Sequence, residues 1–202
     1  ASFEIVDIPL IKYIAKKNKP IFMSTGMASI DEIELAVRTV RETSDSELLL
    51  FHCVSSYPTV TEDANLHNLV WLRKKFGIQV GLSDHTTNNI AALTAIGMGA
   101  VAIEKHFKLD NDECGPDSSF SLSEKQLCKL VSECNQAWLA KGSEGLNRAD
   151  SELQNMVFRR SLYFVKDLKA GEIITAEHVK IIRPGYGLHP KYLNEIIGKK
   201  SM

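Results

Sequence analysis

The chain has 202 residues, which is enough for one medium-sized domain and a smaller second unit. Apolar residues make up 44% of it and charged residues 24%, the balance of a soluble globular protein. A formal net charge of −1 supplies neither a basic surface for nucleic acid nor a polybasic membrane anchor, and the longest apolar run, residues 90–103, is too short to span a membrane.

The cysteines and the two ends of the chain indicate where the protein is located and whether the sequence is part of a longer protein. The four cysteines form no CxxC pair, so the sequence predicts neither a disulfide framework nor a structural zinc site. No signal peptide opens the chain, and we expect a cytoplasmic protein. Because the chain starts at Ala1 in strand-like sequence and stops at Met202 soon after an Ile-Ile-Gly-Lys-Lys run, we expect both ends to lie inside a longer protein.

Apolar runs that end in polar residues alternate with amphipathic segments over the first 141 residues. Residues 29–32 and 123–126 are capping boxes, in which a serine and a Glu or Gln satisfy free amides at a helix start. Residues 48–51 form a continuous apolar run, which indicates a strand buried on both faces, and Gly77 is placed to end a helix. The predicted strands are residues 1–6, 21–23, 48–51, 79–82 and 99–103.

Strands that alternate with helices at intervals of about 25–35 residues predict right-handed βαβ units and a parallel sheet. A doubly wound sheet and a (β/α)8 barrel both have this pattern. No Gly-rich GxGxxG turn follows the first strand, and polar residues end every strand in turn, as in barrels whose strands converge on one mouth. We therefore predict that residues 1–141 are the C-terminal portion of a TIM (β/α)8 barrel, about its last five strands.

The character of the sequence changes after Gly142. Residues 142–159 are mostly polar and are predicted to be a linker. Residues 160–202 contain short β-type runs and a Lys-Ala-Gly-Glu turn. We predict a second, small β-rich unit here, and expect it to be incomplete.

Two histidines, His85 and His106, follow consecutive predicted strands. If those strands are neighbours, both imidazoles lie at the same mouth, where one divalent ion could accept a nitrogen from each. The alternative is a pair of histidines that only make hydrogen bonds at strand ends. Two protein ligands leave positions for water or substrate, which suits a Lewis acid better than a structural ion.

Other polar residues at predicted strand ends are open to two interpretations. Asp117, on a Gly-Pro-Asp turn, either binds a sugar hydroxyl or caps the turn, and Arg183 is either a turn residue or an anion clamp. Cys53 is expected to be a packed thiol, because a nucleophile needs an activating base beside it. Trp71 and Trp138 are expected in the core. Four serines are either a phosphate cradle or ordinary loop residues: Ser2, Ser24, Ser55 and Ser83.

Several motifs, taken in their order and spacing, resemble the sialic acid synthase family, whose members condense phosphoenolpyruvate with a hexose to give nine-carbon keto acids. Residues 160–175 and the Arg-Pro-Gly at 183–185 resemble the family's antifreeze-like (SAF, β-clip) domain. The Ala-Ser-Phe-Glu start and the Gly-Leu-His-Pro at 187–190 are similar to the pseudaminic acid synthases. The motifs of the first part are ASFE, MSTGM, HCVSSYP, EDAN, GLSDHT, EKHF and GPD.

The resemblance implies roles for individual residues. A divalent metal, Mn²⁺ or Mg²⁺, is expected on His85 and His106, and Asp117 is expected to take part in catalysis as a sugar contact. Arg183 is expected to reach the sugar in the partner subunit of a domain-swapped homodimer. The implied phosphoenolpyruvate contacts are Ser2, Ser24, Ser55 and Ser83, and the remaining implied sugar contacts are Glu4 and Tyr57.

The implied activity is a transferase reaction. Phosphoenolpyruvate and an acetamido hexose, here 2,4-diacetamido-2,4,6-trideoxy-altrose, are expected to give pseudaminic acid and phosphate by metal-assisted C–O cleavage. The alternatives are an N-acetylneuraminate or legionaminate synthase, an inactive sugar-acid-binding fragment, and an aldolase-like barrel that uses Lys105 as a Schiff base. The family's phosphate-binding lysine and catalytic glutamate have no match in this sequence, so we expect the 202-residue chain alone to be inactive.

Overall fold

The computed structural model describes residues 2–109 and 115–202. The chain divides into two compact units, residues 1–143 and 144–202. In the described residues, no helix is both long enough and apolar enough to cross a membrane.

The first unit is built on a four-stranded, all-parallel sheet with the strand order β1-β2-β3-β4. Strands that pair in the order of the sequence wind in one direction only, as in a barrel, whereas a doubly wound sheet reverses direction. The strands are β1 Ile21–Ser24, β2 Leu48–Cys53, β3 Gln79–Asp84 and β4 Ile103–Lys105. The helices are α1 Ile8–Ala15, α2 Ile30–Thr43, α3 His67–Phe76, α4 Ile90–Gly97 and α5 Glu124–Lys141, with short 3-10 helices at Ser2–Val6 and Thr61–Ala64.

Burial along β1 shows which face of the sheet the helices cover. Ile21 and Met23 are buried in the core with residues of the surrounding helices, whereas Phe22, which points to the other face, is 68% exposed. One face of the strand therefore packs against helices, as the outer face of a barrel strand does, and the other face is open. The unit is accordingly a portion of a TIM barrel, as the sequence predicted.

The predicted helix ends are confirmed. At the start of α2, Ser29 donates its backbone N–H to Glu32 Oε2 at 2.7 Å and accepts the Glu32 N–H on its hydroxyl at 3.3 Å. At the start of α5, Ser123 donates its N–H to Gln126 Oε1 at 2.8 Å. Gly77 ends α3 in the left-handed region with φ of 64°, where a side chain would be strained.

One strand prediction was wrong, because residues 2–6 form a 3-10 helix rather than a fifth strand. Ser2 and Ile5 are buried while Phe3 and Val6 are exposed, so burial repeats every three residues, the period of a 3-10 helix. The mixture of apolar and polar residues that suggested a half-buried strand fits this period equally well.

The two tryptophans expected in the core are also placed differently. Trp71 is 41% exposed and Trp138 is 51% exposed. In α5 only Leu130 is fully buried, packed with Ala92 and Leu122. The indole of Trp138 lies farther along the helix, where the ammonium of Lys141 sits 4.5 Å from the ring centre.

The second unit contains the predicted β-type runs. Strands β5 (Ser161–Phe164) and β6 (Val179–Ile182) pair antiparallel over a small core of Leu162, Ile174 and Val179. In the predicted Lys-Ala-Gly-Glu turn, the Lys169 N–H donates to Glu172 Oε2 at 2.9 Å and the Glu172 N–H to the Lys169 carbonyl at 3.0 Å. The remaining elements are the helices α6 Asp150–Leu153 and α7 Leu193–Ile196 and 3-10 helices at Gln154–Phe158 and Pro190–Tyr192.

Candidate active site

The candidate site lies at the carboxyl edge of the parallel sheet. All four strands end at this edge, so residues that directly follow or end them are brought together although they are distant in sequence. Alternation along a strand also selects a face. His85 and His106, each one residue beyond its strand, therefore share the face that holds Ser83 and Glu104.

The rings of His85 and His106 have their centres 5.1 Å apart and cross at 71°. His85 is buried, and its Nδ1 lies 2.9 Å from the carbonyl oxygen of Val54. Because a carbonyl only accepts, Nδ1 carries the proton and Nε2 keeps its lone pair. Burial lowers the pKa of His85, but hydrogen bonds to the Cys53 thiol and the Val54 carbonyl outweigh this and raise the pKa above its ordinary value.

His106 has the same arrangement with a carboxylate as acceptor. Its Nδ1 lies 3.3 Å from Oδ2 of Asp117, whose turn is closed by hydrogen bonds from the Ser121 amide and hydroxyl to the Asp117 carbonyl. A carboxylate on Nδ1 orients the ring and leaves Nε2 as the free ligand nitrogen, as in many carboxylate–histidine–metal sites.

The separation of the two rings is compatible with one shared divalent ion. A metal–nitrogen bond of about 2.1 Å puts each imidazole centre roughly 3.2 Å from the ion, which is compatible with two ring centres 5.1 Å apart. In residues 2–109 and 115–202, no set of three or more His, Cys, Asp or Glu side chains is arranged to hold a metal. Among the described residues the candidate ligands are thus two histidines, and water or substrate would have to complete the coordination.

Glu104 is a site residue that the sequence analysis missed. Its Oε1 accepts a hydrogen bond of 2.6 Å from the Ser83 hydroxyl, which joins β3 and β4. Glu104 is exposed and lies on the same face of the sheet as the two histidines. The signal was present in the Glu-Lys-His triplet, because residues i and i+2 of a strand share a face. A carboxylate close to two candidate metal ligands would strengthen the attraction for a cation.

The serines form a second cluster next to the histidines. The hydroxyls of Ser2 and Ser24 are 2.8 Å apart, and Ser2 also donates to the Cys53 sulfur at 3.4 Å. A Cβ on Gly26 would lie 2.5 Å from Ser2 Oγ and still closer to Ser55 Oγ, so these hydroxyls converge on a glycine that has room only for hydrogen. Small donors around an uncovered backbone are suited to a phosphate or carboxylate.

Cys53 connects the two clusters. It is buried, as expected for a packed thiol, but its sulfur lies 4.0 Å from His85 Nδ1 and 3.9 Å from the Ser55 hydroxyl. Burial raises the pKa of the thiol, yet hydrogen bonds from His85, Ser2 and Ser24 and the positive potential of His85 lower it overall to about 7. The sequence had given no sign of this polar environment.

An aromatic wall borders the histidines. The ring of Tyr57 lies 4.3 Å from that of His85 and 5.8 Å from that of His106, and Phe120 lies 5.0 Å from His106. Burial, together with the negative charge of Cys53, raises the pKa of the Tyr57 hydroxyl. The Tyr57 hydroxyl therefore keeps its proton and can donate a hydrogen bond at the carboxyl edge of the sheet.

Two other strand-end residues lie away from this mouth. His52 is buried on the opposite face, bonded through Nε2 to the Ala64 carbonyl at 2.8 Å, and burial lowers its pKa. Lys105 is also on the opposite face, 3.0 Å from Asp84. Of the remaining predicted contacts, Glu4 is exposed on the 3-10 helix that carries Ser2, and Arg183 is exposed in the second unit after β6.

The fold and the site together define a barrel portion with a polar mouth, followed by a small β unit, and the comparisons with known proteins agree. The NeuB family model matches residues 1–145, and the SAF domain model matches residues 159–201. The chain belongs to the NeuB family of sialic acid synthase-type proteins, and its last residues form a SAF domain.

Individual relatives support this assignment. The chain is 43% identical over 201 residues to the pseudaminic acid synthase of Campylobacter jejuni, covering 100% of this chain and 59% of the relative. It is 38% identical over 202 residues to the N,N'-diacetyllegionaminic acid synthase of Campylobacter jejuni, covering 98% and 60%. The crystal structure of the spore coat polysaccharide biosynthesis protein SpsE of Bacillus subtilis superposes with a TM-score of 0.66 at 29% identity, covering 99% and 62%. The chain thus spans somewhat less than two thirds of the length of these relatives.

Proposed function

We propose that the protein in its natural full length is a nonulosonic acid synthase, which joins phosphoenolpyruvate to an acetamido hexose and releases phosphate. The observation that carries this proposal is the pairing of His85 and His106, each with an acceptor oxygen close to Nδ1, next to the serine cluster at Gly26. One half of this site suits a divalent cation, and the other suits an anionic substrate. The similarity to named pseudaminic and legionaminic acid synthases favours the same reaction class.

The reaction makes one carbon–carbon bond. C3 of phosphoenolpyruvate attacks the aldehyde carbon of the open-chain sugar, water adds at C2, and the resulting tetrahedral centre expels phosphate by C–O cleavage. A Mn²⁺ or Mg²⁺ ion held by His85 and His106 would supply Lewis acidity toward the aldehyde. Aligning two substrates at one mouth supplies a further part of the rate enhancement.

The residues of the chain have separate tasks in this proposal. Ser2, Ser24, Ser55 and Ser83 bind the anionic groups of phosphoenolpyruvate. Tyr57, Glu4 and Asp117 contact the sugar, and the raised pKa of Tyr57 keeps its hydroxyl a donor. Val54 and Asp117 hold the two imidazoles in the tautomer that leaves Nε2 as a ligand.

For the particular substrate we propose 2,4-diacetamido-2,4,6-trideoxy-altrose, with pseudaminic acid as the product. The support is the higher identity to the pseudaminic acid synthase, 43%, than to the legionaminic acid synthase, 38%. A legionaminate or N-acetylneuraminate synthase is the alternative. We further propose a cytoplasmic, domain-swapped homodimer in which Arg183 reaches the sugar bound by the partner subunit.

Phosphate release by the full-length protein tests the reaction. With phosphoenolpyruvate and Mn²⁺, we expect turnover with the altrose derivative and little with N-acetylmannosamine. His85→Ala and His106→Ala should each abolish metal-dependent release, whereas His67→Ala, on the outer helix α3, should not. Undiminished turnover in both site variants would contradict the metal assignment, and turnover with N-acetylmannosamine alone would contradict the sugar assignment.

The 202-residue chain by itself is proposed to bind without turnover, since it spans 59% of the pseudaminic acid synthase that it resembles. Titration calorimetry with Mn²⁺ and phosphoenolpyruvate, beside a phosphate-release assay on the same sample, separates binding from catalysis. Turnover comparable to that of the full-length protein would show that the chain alone is sufficient.

A further inference from the structure

A buried ion pair lies directly behind the two candidate metal ligands. Nζ of Lys105 is 3.0 Å from Oδ2 of Asp84, and the two side chains are 3% and 1% exposed. Asp84 and Lys105 are partners in the register of β3 and β4. Each therefore precedes one of the histidines by a single residue, on the face of the sheet opposite to the histidines.

The same pair holds the chain that follows His85. Nζ of Lys105 donates to the Thr86 carbonyl at 2.5 Å and approaches the Asn88 carbonyl at 3.5 Å. Oδ1 of Asp84 accepts the Thr86 N–H at 2.9 Å. Oδ2 of Asp84 has the charge of Lys105 close by, although no well-aligned hydrogen bond reaches it. Lys105, which precedes His106, is thus tied to the side chain of Asp84 before His85 and to the backbone of Thr86 after it.

Stability alone is a weak explanation for such a pair. Removing two charges from water costs about as much as their mutual attraction returns, and apolar replacements of similar volume are often neutral or stabilising. A buried ion pair does, however, fix a relative position, because either partner left alone would be strongly unfavourable. Here that fixed position is the one between the ends of β3 and β4.

We propose that Asp84 and Lys105 are positioning residues, which set the separation and orientation of His85 and His106 for one metal ion. They contact neither substrate nor metal and act through the backbone of the adjacent residues. This inference rests on the proposed metal site. A shift of one strand end past the other would change the 5.1 Å separation of the rings, and the ties at Asp84, Thr86 and Asn88 resist that shift.

The test replaces the pair without leaving a lone charge. In the full-length protein, Asp84→Leu combined with Lys105→Met should fold with near wild-type resistance to urea, but should bind Mn²⁺ about 10- to 100-fold more weakly by titration calorimetry. The electron paramagnetic resonance spectrum of bound Mn²⁺ should broaden, because the ligand geometry is less uniform. If the apolar pair does not fold, Asp84→Asn with Lys105→Met keeps the acceptor for the Thr86 amide and carries the same expectation.

Two controls separate positioning from stability. Glu34→Gln with Lys75→Met removes a half-exposed ion pair between α2 and α3 and should leave Mn²⁺ affinity unchanged. Val80→Ala, at a fully buried position near the start of β3, should lower the stability of the protein while leaving the Mn²⁺ affinity of the folded protein unchanged. Wild-type Mn²⁺ affinity in the folded Asp84/Lys105 variant would overturn this inference but not the proposed metal site. A wild-type protein that does not bind Mn²⁺ would overturn the proposed metal site and this inference with it.

Discussion

Nδ1 of His106 lies 3.3 Å from Oδ2 of Asp117, so a residue expected to contact the sugar also contacts the ring of a candidate metal ligand. The carboxylate has two oxygens, and the side chain of Asp117 is 53% exposed. One oxygen can therefore hold His106 while the other remains open to a ligand. The two roles have different experimental signatures.

Substitution of Asp117 should weaken the binding of both the metal and the sugar. We expect Asp117→Ala to weaken Mn²⁺ binding about 10- to 100-fold, because the ring of His106 loses its orienting acceptor. Asp117→Asn keeps an acceptor oxygen and should lose less. Titration calorimetry gives the metal affinity, and the KM for the sugar gives the second role. Unchanged Mn²⁺ affinity with a raised KM would leave Asp117 as a sugar contact only.

Gly26→Ala should fill the space between the serine hydroxyls. The added methyl would lie 2.5 Å from Ser2 Oγ, and relieving such overpacking costs about 1–3 kcal/mol. If this cost is incurred when phosphoenolpyruvate binds, the KM for phosphoenolpyruvate rises about 5- to 150-fold. Mn²⁺ affinity should stay near the wild-type value. Gly97→Ala is the matched control, because a Cβ there meets nothing within 4 Å. This change should leave the KM for phosphoenolpyruvate unchanged.

Glu104→Gln separates charge from hydrogen bonding. The amide oxygen still accepts from the Ser83 hydroxyl, which Glu104 now does at 2.6 Å, but the negative charge is gone. We expect Mn²⁺ affinity or kcat to fall about 10-fold or more, with an unchanged urea midpoint because the side chain is exposed. Glu42→Gln, which removes an exposed charge on α2, serves as control. Wild-type kinetics and metal binding would show that Glu104 has no functional part.

Lys105 should fail to form a Schiff base. Its ammonium is held by Asp84 and by the Thr86 and Asn88 carbonyls, and its side chain is 3% exposed. Treatment of the full-length protein with pyruvate and borohydride should therefore add no mass to the peptide that contains Lys105. A reduced pyruvyl adduct on that lysine would revive the aldolase-like alternative.

Much of the fold follows from local patterns in the sequence. Apolar runs predicted β1, β2 and β3 to within two residues, whereas the last strand, predicted at residues 99–103, lies at Ile103–Lys105. The capping boxes at Ser29 and Ser123 located the starts of α2 and α5. Residues 2–6 were assigned wrongly because five residues of mixed polarity fit a strand and a 3-10 helix alike. The exposure of Trp138 was not predictable, since helical periodicity shows which residues share a face but not how much of that face finds a partner.

The site was predictable to the extent that it depends on topology. Parallel strands bring their carboxyl ends together, which is why His85, His106 and the serines could be expected at one mouth. The contact of His106 with Asp117 depends on the path of a loop, and that of Ser83 with Glu104 depends on the register of β3 and β4. Neither contact could be predicted from the spacing of the residues in the sequence. The roles of the serines, Glu4 and Arg183 as substrate contacts stay predictions.

The register of β3 and β4 has a consequence for the kinds of mutation that the protein can tolerate. Ser83 and Glu104 face the candidate site, while their neighbours Asp84 and Lys105 face the opposite side. Deleting or inserting one residue in β4 would bury Glu104 and bring Lys105 to the candidate site, and the same change in β3 would exchange Ser83 and Asp84. Substitutions at the strand ends therefore change one contact at a time, whereas a single-residue indel would change them all. Length variation among relatives should accordingly fall in the loops and not in these two strands.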